Sequence, residues 1–181
     1  NVQEKSNQTT MNKTIVNVPE NVCYISEWKE FESFIPEGHV ILNKKLTGCG
    51  ATTYYLLNDT PLILCSHRKE LLRCKYESSL NPKSELYKKD IYYFEATGDV
   101  MERFNSFKDW YKSVAYSNPF SASKCAPKIL VTIDSLENLL KVLEELGVKD
   151  DFTVLSDECQ CIFTDSAFKG DETIKYVSLL E

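Results

Sequence analysis

The chain has 181 residues, 43% hydrophobic and 27% charged, with a formal net charge of −6. That is enough chain for one sizeable core or one domain with a short appendage, and the acidic balance argues against a wholly basic nucleic-acid binder while leaving a local basic groove open. No apolar run approaches the roughly 20 residues that span a bilayer, and the first fifteen residues are polar and lack the apolar core of a signal peptide. The seven cysteines are odd in number, contain no Cys-x-x-Cys pair and accompany only two histidines. They therefore suggest neither a disulfide framework nor a zinc site, and a reducing cytoplasm is the expected compartment.

Residues 1–20 read as a polar N-terminal segment, with Ile15–Val18 before Pro19 as a short edge strand, and residues 21–181 as one domain. Ser26 is placed to cap a helix carrying Trp28, Phe31 and Phe34 at helical spacing, a stripe best read as core packing. After the turn Pro36-Glu37-Gly38, the run Val40-Ile41-Leu42 reads as a short buried strand. It leads through Asn43, Lys44, Lys45 and Leu46 into Thr47-Gly48-Cys49-Gly50-Ala51-Thr52-Thr53, and Tyr54-Tyr55-Leu56-Leu57 continues as a helix ending by Asn58-Asp59. Strand, glycine turn and helix form the context in which backbone N–H groups cradle phosphates.

A second buried strand, Pro61–Cys65, runs into Ser66-His67-Arg68-Lys69-Glu70-Leu71 and a helix that Asn81-Pro82 breaks. Ile91–Phe94 is a third strand. Thr97-Gly98-Asp99 turns into a helix with Val100, Phe104, Phe107, Trp110 and Tyr111 on one side, and 113–127 reads as a surface loop. Lys128–Ile133 is a fourth strand, Asp134-Ser135-Leu136 caps a helix from Glu137 to Leu146, and Gly147 stops it. The last strand, Phe152–Ser156, delivers Asp157-Glu158-Cys159-Gln160. Acidic residues at the end of a buried strand are poorly solvated unless a cation meets them.

These pieces, in this order, resemble the first RecA-like domain of superfamily 2 helicases, a P-loop NTPase family of the DEAD/DEAH-like kind. Thr47, Gly48, Cys49 and Gly50 match its Walker A loop. Arg68, Glu70 and Leu71 match its second motif, the Thr132-to-Leu136 stretch its third, and Asp157-Glu158-Cys159-Gln160 its Walker B box. The resemblance covers roughly residues 40–163. It implies a three-layer α/β/α sandwich with a mostly parallel sheet, ATP as substrate and Mg2+ as cofactor. It makes Lys44, Lys45, Thr47, Gly48, Cys49, Gly50, Ala51, Thr52 and Thr53 nucleotide-binding, and Thr52 and Asp157 metal-holding. Glu158 becomes the catalytic base, Gln160 couples the site to nucleic acid or a second domain, and Arg68, Thr132 and Ser135 contact nucleic acid. The chain departs from the family at Ala51, where the phosphate-binding lysine belongs; Lys44 and Lys45 are the candidates to replace its charge.

No second RecA-like domain and no arginine finger are legible, so a fragment of a longer helicase-like protein is expected, with that second domain and DNA or RNA as partners. Three functions compete. An ATP-driven motor domain relies on Lys44 or Lys45, and a degenerate P-loop fold serves as a scaffold without hydrolysis. A small nucleotide kinase is disfavoured by the missing lysine and the Asp-Glu-Cys-Gln box.

Overall fold

Two strands buried at every position form the middle of the sheet: β1, Leu62–Ser66, and β3, Lys128–Thr132. Their near-continuous apolar runs, without the alternation of a half-exposed strand, are those of a sheet covered on both faces. In this computed structural model, which describes residues 14–38, 40–43, 48–87, 89–95, 98–116, 126–157 and 178, β2 (Ile91–Phe94) and β4 (Thr153–Ser156) flank that pair in the order β2-β3-β1-β4. Every pairing is parallel, with Ser66 opposite Thr132 and Cys65 opposite Ser156.

The helices that carry the core among the described residues are α1 (Ala51–Leu57), α2 (Lys69–Leu80), α3 (Val100–Tyr116) and α4 (Ile133–Glu145). Alternate strand residues point to opposite faces, and the core divides accordingly. On one face Ile63, Cys65, Ile129 and Val131 pack with Phe107 of α3 and with Leu136, Leu139 and Leu143 of α4. On the other, Leu62, Leu64 and Leu130 pack with Leu56 of α1 and Leu72 of α2. The α/β class and the parallel sheet expected from alternating elements are therefore present, with helices on both faces.

Local chemistry sets the helix ends. Asp99 accepts from the N–H groups of Met101 (2.8 Å) and Glu102 (3.0 Å) and starts α3. Gly147, at φ 69°, ends α4: its N–H donates to Glu144, and that of Val148 reaches back to Leu143. This pairing satisfies two of the last carbonyls, and Val148 packs on the same core as Leu143.

The chain divides into two compact units, Asn1–Ala51 and Thr52–Glu181. In the first, several expectations fail. Ile15–Val18 forms no strand, and Ile15 is exposed. The run from Val40 to Leu42 is neither a strand nor buried; Ile41 is 65% exposed. An apolar run becomes a strand only when a ladder partner takes its backbone groups, and among the described residues the sheet holds only the four strands above. Ser26 caps no α-helix. The segment instead makes two 3-10 turns, Ile25–Glu27 and Phe31–Phe34, after the N–H of Ile25 is taken by Cys49 O at 2.7 Å. Trp28, Phe31 and Phe34 still gather, with Trp28 5.8 Å from Phe31 and 5.0 Å from Phe34 between ring centres; Trp28 and Phe31 are buried as expected, whereas Phe34 is 45% exposed.

In the second unit the differences are smaller. The fourth helix starts at Ile133 rather than after Asp134-Ser135, and Thr132 occupies the cap position without a side-chain bond. Ser135 is buried instead, because the helix's first turn faces the core. Val100 is 43% exposed, off the aromatic side of α3. That helix continues through Ser113–Tyr116, where a loop was expected, and 117–125 lie outside the described residues.

Candidate nucleotide and magnesium site

Asp157 follows β4 directly, and its N–H still pairs with Cys65 O of β1 at 2.9 Å. The ladder thus holds its backbone one residue beyond the strand and leaves the carboxylate at the carboxyl edge of the sheet, where ligands of open α/β folds gather. Thr52 lies in the first turn of α1. Its Oγ1 donates to Asp157 Oδ2 at 2.9 Å across 105 residues of sequence. Both residues are half-buried, so the pair is sheltered but reachable. The next residue, Thr53, accepts from Lys75 Nζ of α2 at 3.5 Å.

A row of hydroxyls continues along the same edge. Ser66, fully buried, accepts from the Arg68 N–H at 3.2 Å, while His67, Arg68 and Lys69 are exposed. Thr132, opposite Ser66 in the ladder, is 2% exposed, and among the described residues its Oγ1 has no partner; nor has Ser156 Oγ. Ser135 lies just beyond Thr132, also at 2% exposure. Buried hydroxyls are ordinarily satisfied; among the described residues the Thr132 and Ser156 hydroxyls are not, and His67 and Arg68 follow Ser66 in exposed positions.

In the first unit, Gly48 and Gly50 adopt φ of 72° and 84°, the left-handed region that favours glycine. At Gly50 a Cβ would come 3.1 Å from both Ser26 Oγ and Tyr24 Cβ, whereas at Gly48 it would meet nothing. Cys49 between them is half-buried, and Ala51, which starts α1, is 5% exposed. Lys44, Lys45, Thr47, Glu158 and Gln160 lie outside the described residues.

The Thr52 hydroxyl and the Asp157 carboxylate are oxygen donors in contact with each other, and among the described residues no group of three or more His, Cys, Asp or Glu could hold a metal ion. Mg2+ takes one or two carboxylates and completes its shell with water and phosphate oxygens.

Two lysines escaped the sequence reading. Lys128 opens β3 fully buried, and Lys89 reaches the end of α1. The only signal for the first was a lysine leading an otherwise apolar strand. A cleft of about 450 Å3, walled by Tyr76, Tyr87, Asp90 and Trp110, opens at the amino end of β2, the wrong end for a site at Asp157. Burial there raises the Asp90 carboxyl above its ordinary value, with Lys89 opposing.

Among the described residues no helix is long and apolar enough to cross a membrane. No family model matches this chain, and no curated protein or solved structure matches it.

Proposed function

We propose that this chain is the ATP-binding motor domain of a helicase- or translocase-like protein, a RecA-like domain similar to those of superfamily 2, which acts on nucleic acid by Mg-dependent ATP hydrolysis. The observation that carries the reading is the bond from Thr52 Oγ1 to Asp157 Oδ2. The resemblance makes the first a metal-binding hydroxyl and the second a metal-binding carboxylate, and the fold brings these two atoms into contact.

In this reading Thr52 and Asp157 hold Mg2+, which would neutralise charge on the transferred phosphate. The resemblance assigns the loop of Gly48 and Gly50 to the phosphates. Glu158 orients the attacking water and accepts its proton, and Gln160 reports to the partner domain. Of the residues that the resemblance turns toward nucleic acid, Arg68 is exposed and suits a phosphate backbone, whereas Thr132 and Ser135 are 2% exposed. The cytoplasm and a second RecA-like domain belong to the same proposal.

One observation favours a degenerate, non-hydrolysing scaffold instead: Ala51 stands where a lysine would reach the phosphates, and it is packed rather than open. Losing that contact removes roughly 1.5–3 kcal/mol of charge-assisted binding. Calorimetric titration with MgATP decides between them, using wild type, Lys44→Ala, Lys45→Ala, Ala51→Lys, Asp157→Ala and Glu158→Gln. The motor reading expects wild-type binding that one upstream alanine abolishes, lost Mg dependence in Asp157→Ala, and retained binding without turnover in Glu158→Gln. Binding seen only in Ala51→Lys would establish the scaffold, and equal, negligible effects at Asp157 and Glu158 would remove the acidic box from the site.

A further inference from the structure

We propose that Lys128 is a positioning residue for the Thr52–Asp157 pair, acting through α1 from the far end of the sheet. Its functional half rests on the nucleotide reading above; its structural half does not.

Lys128 is fully buried at the start of β3, and its Nζ donates to three oxygens: Tyr55 O at 2.9 Å, Asn58 Oδ1 at 2.7 Å and Thr60 O at 2.6 Å. A buried ammonium is costly unless its protons are all donated, and this geometry uses all three. The acceptors belong to the last turn of α1 and the turn after it. Lys89 adds a fourth bond there, to Leu57 O at 3.0 Å. The last carbonyls of a helix lack intrahelical partners and carry the negative end of its dipole, so two ammonium groups answer both needs.

α1 has seven residues, about 10 Å of helix, too short to persist by itself. Its direction is therefore set by its anchors. At the carboxyl end stand Lys128 and Lys89. Near the amino end stands the Thr52 hydroxyl on Asp157, with Leu56 fully buried between them. A leucine at position 128 would fill the space but leave three oxygens without that donor. The charge at the amino edge of β3 thus fixes where the Thr52 hydroxyl arrives at the carboxyl edge of β4.

The test is a double-mutant cycle of melting temperatures without nucleotide, introducing Thr52→Val into wild type, Lys128→Met and Asn58→Ala. Asn58→Ala removes one acceptor of Lys128 at a half-buried position, together with the bonds that Asn58 Oδ1 accepts from the Thr60 N–H and Oγ1, and keeps the cycle readable if Lys128→Met does not fold. The expected result is that Thr52→Val lowers the melting temperature of the wild type by at least about twice as much as that of either background. Equal shifts in all backgrounds overturn the proposal. The second readout is ATP binding with and without Mg2+: Asn58→Ala is expected to raise the Mg2+ concentration for half-maximal binding by up to about tenfold and to leave Mg-free binding unchanged. Equal weakening with and without Mg2+ would make Lys128 merely structural and overturn its positioning role. Wild type that binds no MgATP refutes the nucleotide reading, while the melting cycle still decides for or against Lys128.

Discussion

Replacing Thr52 by valine exchanges one hydroxyl for a methyl group of nearly the same size, at a helical position where the two residues have similar propensity. The lost interaction is a 2.9 Å hydrogen bond to a carboxylate. Hydrogen bonds to charged groups contribute about 1.5–3 kcal/mol. Both partners are half-buried, so water can replace the hydroxyl at the carboxylate and the lower end applies, about 1.5 kcal/mol. Backbone pairing of Asp157 with Cys65 at 2.9 Å survives the change and limits any spread of the damage. For a unit of this size the melting temperature should fall by about 4–8 °C. Urea denaturation monitored by tryptophan fluorescence and far-UV circular dichroism measures the free energy, and a titration of ATP against Mg2+ measures the site. The reasoning predicts both a lower midpoint at unchanged slope and a weaker dependence of ATP binding on Mg2+. A loss below about 0.5 kcal/mol would mean that the hydroxyl and carboxylate are not in contact in solution. Full stability loss with unaltered Mg2+ dependence would leave the bond structural and remove the metal role from Thr52.

The two glycines of the loop should respond unequally to alanine. At Gly48 only the left-handed backbone opposes a side chain, a cost of about 1–2 kcal/mol, whereas at Gly50 the new methyl also meets Ser26 and Tyr24 at 3.1 Å; thermal melts in which Gly48→Ala is the worse variant would contradict this geometry. Asp90→Asn should raise the melting temperature at pH 7. Burial holds the Asp90 carboxyl above its ordinary value, so its neutral form supports the fold at low pH and that support is lost as pH rises through the raised value. The advantage of asparagine should therefore shrink as pH falls below the usual carboxylate range, and a pH-independent difference would count against the assignment.

Much of the second unit is legible in the residues themselves. Leu62–Cys65 and Ile129–Val131 are too apolar to lie anywhere but inside, and Asp99 and Gly147 mark helix ends by backbone chemistry that needs no distant partner. The same local logic failed at Ser26 and at Val40–Leu42. A serine caps a helix through the N–H groups two and three residues after it, and the Trp28 N–H is taken instead by Ile25 O in the 3-10 turn. An apolar triplet is a strand only if a neighbour completes its ladder.

The candidate site divides along the same line. Thr52 and Asp157 were nominated by the resemblance of their motifs to those of a known family, which supplies a hydroxyl and a carboxylate as metal-binding groups. That these two meet at 2.9 Å across 105 residues is a property of the sheet order β2-β3-β1-β4, which sets β4 beside β1 and leaves Asp157 at its edge. Lys128 is the clearest case of what only tertiary structure decides. In sequence it is one of 21 basic residues, most naturally a solvated charge before a strand. Its burial and its three acceptors come from α1 and the turn after it, about seventy residues earlier. Composition and periodicity determine which residues must be inside and which local turns the backbone takes. The partner of a buried polar atom is chosen by chain crossings that no local pattern encodes, because a hydrogen bond depends on position in space and not on separation in sequence.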